Sequence, residues 1–268
     1  MRWQLFHGKN IDYLTIPEWS KLGAILAFSL RGGGVSKAPF FSLNLALHVD
    51  DKPENVLQNR RIFLEDLGCS FADCTAVSQV HGNKVIEVGE QDKGIGIKEL
   101  DPNIPECDGM VTTSNIALLG FYADCVPLYF FEPQAKIVGL AHAGWKGTAL
   151  NISQKILHKI QSLGGSLENC LVAIGPCIGS CCYEVGEEVA AVFTKEVNGS
   201  QLLTKTGFDR YNLDLAGVNE LQLIREGICP EHIVQAPFCT ACHKDLFFSY
   251  RREGRTGRMG AFIQKKVL

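Results

Sequence analysis

Residues 107–147 read CDGMVTTSNIALLGFYADCVPLYFFEPQAKIVGLAHAGWKG and contain three short apolar runs in series. The runs cover residues 116–123, 126–131 and 137–141, and each is rich in β-branched or aromatic residues and bounded by turn residues. That pattern is typical of buried strands. We therefore predict three consecutive strands at the centre of the fold.

Polar residues interrupt these apolar runs at two places. Asp124 and Cys125 separate the first run from the second, and His142 follows the third. A polar group buried without a partner costs about 1–3 kcal/mol in proteins. Asp124, Cys125 and His142 are therefore expected to pair with one another or to bind a ligand.

An isolated histidine upstream completes a possible donor set. The segment SQVHG at 78–82 places His81 between an apolar pair and a strand-like segment at 84–88. His81, Cys125 and His142 supply two imidazoles and one thiol, and catalytic zinc sites keep three protein ligands and one open position. Their spacing is long and irregular, so an ordinary hydrogen-bonded role for each histidine stays open at this point.

Composition narrows the class of protein. The chain has 268 residues, of which 46% are hydrophobic and 21% charged, as in a globular protein with a sizeable core. A net charge of −3 offers no basic footprint for nucleic acid. The sequence shows no secretory signal and no run long enough to cross a membrane. We expect one cytoplasmic domain over residues 1–268, as a monomer or a homodimer.

The eleven cysteines are an odd number without a secretory signal, which favours reduced thiols over disulfides. The segment CTACH at 239–243 matches a c-type haem attachment motif, but such attachment generally requires export, so we do not expect haem. The next alternative is a structural zinc bound jointly by the CTACH segment and by Cys177, Cys181 or Cys182. Reduced buried thiols are the interpretation we favour.

The N-terminal third contains two arginine-bearing segments. A predicted strand at 24–30 leads into RGGGVS at 31–36, which lacks the Gly-Lys-Ser/Thr of a Walker A loop. Either this segment is a flexible turn, or its amides and Arg31 approach an anion. A helix is predicted over 53–67, with Arg60 and Arg61 near its middle. Periodicity favours a solvated face for both, and the alternative is that one of them turns toward the site.

The remaining elements follow from periodicity and turn residues. We predict a surface loop over 89–106 that covers the site, and a helix that follows Gly147 and runs to about residue 163. Further helices are predicted at 186–194 and 212–225, and further strands at 171–174, 233–235, 247–250 and 261–264.

Nine longer motifs stand in order along nearly the whole chain. They are RGGGVS (31–36), SLNLALHV (42–49), NRR (59–61), SQVHG (78–82), CDGMVT (107–112), ADCVPL (123–128), AHAGWKG (141–147), AIGPCIG (173–179) and FFSYRREGRTGR (247–258). Together they resemble the YfiH-type family, also called the laccase-domain or polyphenol oxidase family and the purine nucleoside phosphorylase family. One departure is Asp50-Asp51, where the family often has Gly-Asp; it concerns a turn.

The resemblance implies a fold, a metal and an activity. The fold would be α+β, a single domain with a mixed β-sandwich core flanked by helices in four α/β/β/α layers. The family's metal ligands, usually for zinc, correspond to His81, Cys125 and His142. The implied activity is phosphorolysis of purine nucleosides, with adenosine deamination and methylthioadenosine phosphorolysis at the same site.

Roles for other residues follow from that chemistry. Zinc would make water a nucleophile toward C6 of adenine, and Asp124 would transfer protons or else orient a ligating histidine. Trp145, or Phe40 and Phe41, would stack on the purine. Phosphorolysis also needs bound phosphate, for which the arginine candidates are Arg31, Arg251, Arg60 and Arg252.

Two other activities remain open at this point. Cys125 with a neighbouring histidine would also suit a cysteine hydrolase or deamidase, and the family's fold is similar to that of cytotoxic necrotizing factor deamidases. A copper-dependent polyphenol oxidase is implied by the family's older name. Seven histidines are too few for a blue-copper site plus a trinuclear cluster, so any bound copper is expected to be adventitious.

Overall fold

The computed structural model describes residues 1–99, 104–195 and 201–266. The described residues form fifteen strands and seven α-helices. The strands are β1 (Gln4–His7), β2 (Asp12–Thr15), β3 (Ala24–Ser29), β4 (Cys74–Ala76), β5 (Val85–Glu87), β6 (Gly109–Thr112), β7 (Ala117–Tyr122), β8 (Val126–Glu132), β9 (Ile137–Ala143), β10 (Leu171–Ile174), β11 (Glu184–Gly186), β12 (Leu203–Gly207), β13 (Arg210–Leu213), β14 (Ile233–Gln235) and β15 (Met259–Lys265). The helices are α1 (Pro17–Leu22), α2 (Pro53–Asp66), α3 (Trp145–Ala149), α4 (Ile152–Ser162), α5 (Glu187–Thr194), α6 (Leu215–Arg225) and α7 (Tyr250–Glu253).

Two six-stranded sheets pack face to face. The first has the order β1-β2-β3-β15-β7-β4, the second β14-β10-β8-β9-β6-β5, and β11-β13-β12 form a small third sheet. Side chains from the facing surfaces of the two large sheets make one core, with Phe28 and Leu118 from the first sheet and Tyr129 and Leu140 from the second. The predicted β-sandwich is confirmed.

Helices cover the outer face of each large sheet. On the first sheet, Phe63 of α2 packs against Leu119 and Phe262. On the second, Ile156 of α4 and Val218 of α6 share a cluster with Phe130. The four α/β/β/α layers implied by the resemblance are therefore present.

The three central strands predicted from residues 107–147 are β7, β8 and β9. In β8, Leu128 and Phe130 pack toward the helices, whereas Tyr129 and Phe131 pack toward the sandwich core. A strand buried on both faces reads as a continuous apolar run instead of an alternating one. Each fully buried side chain of this size contributes about 1.5–3 kcal/mol, so the strand ends are firmly positioned.

The predicted helix after Gly147 is two helices. Asn151 has a φ of 52° between α3 and α4, and its side chain accepts a hydrogen bond from the backbone N–H of Gln154 at 3.2 Å. The left-handed backbone breaks the helix, and the side chain caps the next one. Periodicity alone does not detect such a break, because the apolar spacing continues across it.

Two other predicted elements are wrong in part. The helix predicted from 212 begins at Leu215 with Asp214 as its cap, because Asn212 belongs to β13. The strand predicted at 247–250 is absent, and Phe247 and Phe248 reach the sandwich core from a loop before α7.

Arg60 is buried, at 1% exposure, so the prediction of a solvated face is wrong for this residue. Its guanidinium donates to the carbonyls of Leu45, Gly96 and Ile97 and lies 4.4 Å from the ring centre of Phe121. A buried cation needs such partners. The contacts fasten the 89–99 segment to α2.

The sequence predicts that the loop over 89–106 covers the site, but its residues 89–99 lie away from it. Its Ile97 is fully buried in the cluster beneath α2, and Gly94–Gly96 face a separate cavity beside Phe71. Residues 100–103 of the predicted loop lie outside the described residues. In the described ranges, no helix combines the length and hydropathy needed to cross a bilayer.

Candidate metal centre and its cavities

A buried carboxylate organises the two histidines. Nδ1 of His142 lies 2.8 Å from Oδ1 of Asp108, and both side chains are buried. The same carboxylate accepts the backbone N–H groups of Val80, His81 and Gly82 at 3.2, 2.9 and 2.7 Å. Asp108 thereby fastens the SQVHG turn to the end of β9.

Strand pairing brings Asp108 to this place. Strands β6 and β9 are antiparallel with Gly109 opposite Ala141, and the N–H of His142 donates to the carbonyl of Asp108 at 2.7 Å. The two residues are thus neighbours across the ladder although 34 positions separate them. Cys125 lies in the tight connection between β7 and β8, whose first residue Val126 pairs with Ala143.

The three predicted metal donors come together. The donor atoms of His81, Cys125 and His142 all lie within 4.8 Å of one another. The rings of His81 and His142 meet edge to face, with centres 4.7 Å apart and an interplanar angle of 81°. The arrangement gathers two imidazole nitrogens and one sulfur around a common point.

The electrostatics favour an ionised thiol. Burial acts to raise the pKa of Cys125, but the charge of His142 and hydrogen bonds with both histidines lower it to about 6. Burial acts to lower the pKa of His142, but the Cys125 charge and the bond to Asp108 raise it to about 9. Burial also opposes ionisation of Asp108, yet hydrogen bonds from His142 and backbone amides lower its pKa. Both pKa shifts favour a thiolate on Cys125 and an imidazolium on His142 near neutral pH.

The donors fit a zinc ion. Because Nδ1 of His142 is bound to Asp108, Nε2 of that ring is the nitrogen left for a metal. Gly144 keeps the space open, since a Cβ there would lie 3.1 Å from His81 Cδ2 and 3.3 Å from Cys125 Sγ. Two imidazoles and a thiolate leave one position of a tetrahedral zinc free.

Backbone strain accompanies these donors. His81 and Asp124, which precedes Cys125, have φ values of 61° and 91°. Such conformations cost a non-glycine residue about 1–3 kcal/mol and persist where surrounding contacts enforce them. Three amide bonds to Asp108 enforce the turn at His81, and the contacts of Asp124 enforce the second.

Asp124 holds neighbouring segments together. Its Oδ1 accepts the hydroxyl of Thr240 at 2.6 Å, and its Oδ2 accepts the N–H of Arg251 at 2.7 Å. Its carbonyl accepts the N–H of Ile178 at 2.9 Å. The histidine-orienting role considered for Asp124 is instead performed by Asp108 at His142.

Two cavities meet at the donor group and share His81, Ala123, Cys125 and Tyr250. The first has a volume of about 300 Å³ and is also lined by Asp124, Trp145, Tyr183 and Arg251. The second has a volume of about 460 Å³ and is also lined by His48, Gln79, Phe121, His142 and Arg258. Each cavity therefore combines aromatic surface with one arginine.

Arg251 is the one residue of the predicted arginine set that lines either cavity. Its Nη1 donates to the carbonyls of Cys182 and Glu184 at 3.2 and 2.9 Å, and the guanidinium lies 5.1 Å from the ring centre of Tyr183. Remaining N–H groups of the guanidinium are free of protein hydrogen bonds among the described residues. Arg251 is thus placed to meet an anion.

The other predicted arginines are engaged within the protein. Nη1 of Arg31 and Nη2 of Arg252 each lie 2.8 Å from Oε1 of Glu253, and both guanidinium groups also donate to backbone carbonyls. Arg60 is buried under α2. Their expected phosphate-binding role does not fit these positions, because each charge already has its partners.

Sequence reasoning missed Asp108, Gly144, Tyr183 and Arg258 at the site. Three of them stand inside the quoted motifs CDGMVT, AHAGWKG and FFSYRREGRTGR, so motif membership was the available signal. Of the predicted stacking residues, Trp145 lines the first cavity. Phe40 and Phe41 are absent from the linings of both cavities.

Comparison with known proteins places these features in a family. The profile of a family described as multi-copper polyphenol oxidoreductase laccase matches residues 25–266. A protein of Geobacillus stearothermophilus named purine nucleoside phosphorylase YlmD is 40% identical over 249 residues, which is 91% of each chain. Its namesake from Bacillus subtilis is 36% identical over 262 residues, or 94% of each chain.

A solved structure agrees with the sequence relatives. The crystal structure of YlmD from Geobacillus stearothermophilus superposes with a TM-score of 0.92 at 37% identity and covers 98% of both chains. The sandwich, the donor group and the match over nearly the whole chain lead to one conclusion. This chain belongs to the laccase-domain family of YfiH and YlmD proteins, whose similar members are named purine nucleoside phosphorylases.

Proposed function

We propose that this protein is a zinc-dependent purine nucleoside phosphorylase that also deaminates adenosine and phosphorolyses methylthioadenosine. The observation that carries the proposal is the His81–Cys125–His142 group at the junction of two cavities, each with aromatic surface and an arginine. The names of the relatives support the phosphorylase activity.

The cavities suit a nucleoside and a phosphate. Trp145, Tyr183 and Tyr250 offer aromatic surface for a purine, and Arg251 offers a guanidinium for an anion in the same cavity. A phosphate oxygen would attack C1′ of the ribose while the bond from C1′ to the purine nitrogen breaks. The purine leaves with the electron pair and takes up a proton, and ribose 1-phosphate forms. Arg258, in the adjoining cavity, is the second candidate for phosphate.

Deamination would use the His81–Cys125–His142 group to hold the zinc ion that activates water. When bound, zinc supplies Lewis acidity that makes water a nucleophile near neutral pH. His81, Cys125 and His142 would hold the ion, and Asp108 would keep the His142 ring oriented. Water adds to C6 of adenosine and ammonia leaves, which requires a proton donor at the leaving nitrogen. Both carboxylate oxygens of Asp124 accept hydrogen bonds, so we assign it to positioning Thr240 and Arg251.

Multi-copper oxidase chemistry lacks its donors here. Among the described residues, the donor group contains two imidazoles, and the other histidine in these cavities is His48. A blue-copper site with a trinuclear cluster needs many more. The family's descriptive name is therefore not extended to the activity of this chain.

The direct test is product analysis with controlled phosphate and metal. Protein purified under reducing conditions is incubated with adenosine, with and without inorganic phosphate. Phosphate-dependent release of adenine and ribose 1-phosphate, together with inosine formation, is the expected result. Both activities should disappear on chelation and return with zinc. Failure to convert adenosine in the zinc-loaded protein, with or without phosphate, would refute the proposal.

A cysteine hydrolase is the second candidate, and one observation favours it. Cys125 lies beside His142, which is bound to Asp108, and the pKa of the thiol is lowered to about 6. A nucleophile, a base and an orienting carboxylate in that order resemble a catalytic triad.

Alkylation of Cys125 separates the two candidates. A zinc-bound thiolate reacts slowly until a chelator exposes it, whereas a free nucleophile reacts fastest of all the cysteines from the start. Peptide mapping of alkylated Cys125, with and without chelator, is run beside adenosine turnover. Rapid alkylation before chelation, with turnover insensitive to the chelator, would favour the hydrolase.

A further inference from the structure

A second group of metal donors lies outside the cavities. Cys181 and Cys182 belong to the turn that follows β10, and Cys239 and Cys242 to the turn that follows β14. The four Sγ atoms all lie within 4.8 Å of one another. Two turns 60 residues apart in sequence thus bring all their exposed or half-buried thiols to one point.

The sulfur distances suit a shared ion better than disulfides. Sγ of Cys242 lies 3.6 Å from that of Cys181 and 3.4 Å from that of Cys182. A disulfide requires about 2.05 Å, and all four cysteines are free. Zinc–sulfur bonds of about 2.3 Å in a tetrahedron place sulfurs roughly 3.8 Å apart. The observed spacing is close to that of a tetrathiolate site.

The backbone around the cysteines supports metal-binding thiolates. The N–H of Gly179 donates to Sγ of Cys239 at 3.2 Å, and such amide bonds stabilise negative sulfur. A Cβ on Gly179 would lie 3.3 Å from Cys239 Cβ and 3.4 Å from Cys181 Sγ. A β-bridge between Cys177 and Cys239 aligns the two turns. The cysteines are therefore presented by paired backbone segments.

We propose that Cys181, Cys182, Cys239 and Cys242 bind one zinc ion as a closed, structural tetrathiolate site. Four protein donors complete the tetrahedron and leave no position for a substrate. Binding releases the thiol protons to solvent and leaves the zinc oxidation state unchanged. The site requires no contribution from the His81–Cys125–His142 group.

The ion would cross-link two turns that form one wall of the first cavity. Arg251 donates to the carbonyls of Cys182 and Glu184, and Thr240, within the CTACH segment, donates to Asp124. Ile178 and Tyr183, on either side of the cysteine pair, line the cavity. Cross-linking the two turns fixes that wall without contact between the ion and a nucleoside.

Metal analysis of cysteine variants tests the proposal. Wild-type protein is purified with a reductant and compared with Cys242→Ser, Cys125→Ser and Cys229→Ser. Cys229 is an exposed cysteine outside both groups and serves as the matched control. Cys242→Ser should lose about one zinc per chain, and Cys229→Ser should lose none. Cobalt added to metal-free Cys125→Ser should give the visible absorption of tetrahedral cobalt with four thiolates.

Two outcomes would overturn the proposal. One is a zinc content in Cys242→Ser equal to that of wild type, with no tetrathiolate absorption from cobalt in Cys125→Ser. The other comes from the wild-type protein and does not depend on how a variant folds. If these four cysteines react with a thiol reagent as fast before chelation as after it, no ion shields them. Slow reaction that chelation accelerates is the expected result.

Discussion

The two donor groups found in the described part of the chain are built in opposite ways. Cys125 and His142 stand at strand ends, and the buried carboxylate of Asp108 binds both the His142 ring and the backbone N–H of His81 in its turn. Two cavities open onto them. The four cysteines stand on surface turns, and the backbone N–H of Gly179 donates to one of them, Cys239.

That difference teaches what each scaffold is suited to. Strands buried on both faces position Cys125 and His142, and Asp108 ties the turn of His81 to them. The fourth direction is left facing a cavity, as chemistry at a metal requires. The two turns are joined by the Cys177–Cys239 bridge, but their exposed thiols lie at the surface, so four donors around one ion would add a cross-link there. Asp124 joins the two regions, because it precedes Cys125 and accepts the hydroxyl of Thr240.

Removal of metal should produce the largest effect. An ion present at about 1,000 times its dissociation constant stabilises the native state by roughly 4 kcal/mol. We expect chelation to lower the melting temperature of wild-type protein, and to lower it less in Cys125→Ser and in Cys242→Ser. Calorimetry with and without chelator measures this. An unchanged melting temperature after both ions have left would show that neither group contributes to stability.

Arg251→Ala should impair phosphorolysis more than deamination, because only phosphorolysis needs bound phosphate. Loss of a charge-assisted hydrogen bond costs about 1.5–3 kcal/mol, or roughly 10–150-fold in rate. Steady-state rates of both reactions are measured on one preparation. Arg210→Ala, which removes an exposed arginine paired with Glu184, is the control. Equal losses in both reactions would assign Arg251 to the fold or to the nucleoside.

Asp108→Asn should weaken metal binding at the three-donor group alone. Removing the carboxylate that orients a ligating histidine typically costs 10- to 100-fold in metal affinity, so we expect a decrease of about that size. Competition with a chromophoric chelator measures it for each group. Asp50→Asn, at an exposed position with a φ of 60° that asparagine tolerates, is the control. A similar loss at the four cysteines would mean that the two groups are not independent.

Gly144→Ala should have the smallest effect. The backbone at Gly144, with φ −70° and ψ 172°, accepts alanine, so the cost comes from crowding of His81 and Cys125. Overpacking of this kind costs about 1 kcal/mol or more. We expect zinc binding at the three-donor group to weaken by about that free energy. Gly186→Ala is a close control, because its φ is −81°, its ψ is 173° and its Cβ would meet nothing within 4 Å. Equal zinc affinity in both variants would show that the three-donor group tolerates crowding.

The sequence predicted the central strands well because of how they are buried. Residues in β8 face one core or the other in turn, so almost every position is apolar and the run is unmistakable. The donors stood out because His142 and Cys125 interrupt or end such runs. The same logic failed at Phe247 and Phe248, which are buried side chains carried by a loop.

The sequence assigns no role to Asp108, because its contacts depend on strand pairing. An aspartate before a glycine reads as a turn residue, and nothing local reports that β9 lies alongside. The prediction for Arg60 is wrong for a related reason: periodicity gives no sign of the carbonyls that satisfy its charge. Pairing across distant segments also gathers the four cysteines. Of the partners considered for the CTACH segment, Cys181 and Cys182 lie beside it, whereas Cys177 is outside the group. The prediction of buried thiols is wrong for these four, which are exposed or half-buried.

Arg251 touches both regions, and this has a thermodynamic consequence. Its side chain donates to the carbonyl of Cys182 and its backbone N–H donates to Asp124. If an ion held by the cysteines improves phosphate affinity at Arg251, phosphate must improve the affinity for that ion by the same factor, since coupling between binding sites is reciprocal. Zinc titrations of Cys125→Ser with and without phosphate measure that factor. A factor of one would show that the zinc ion at the four cysteines stabilises the fold without affecting phosphate binding.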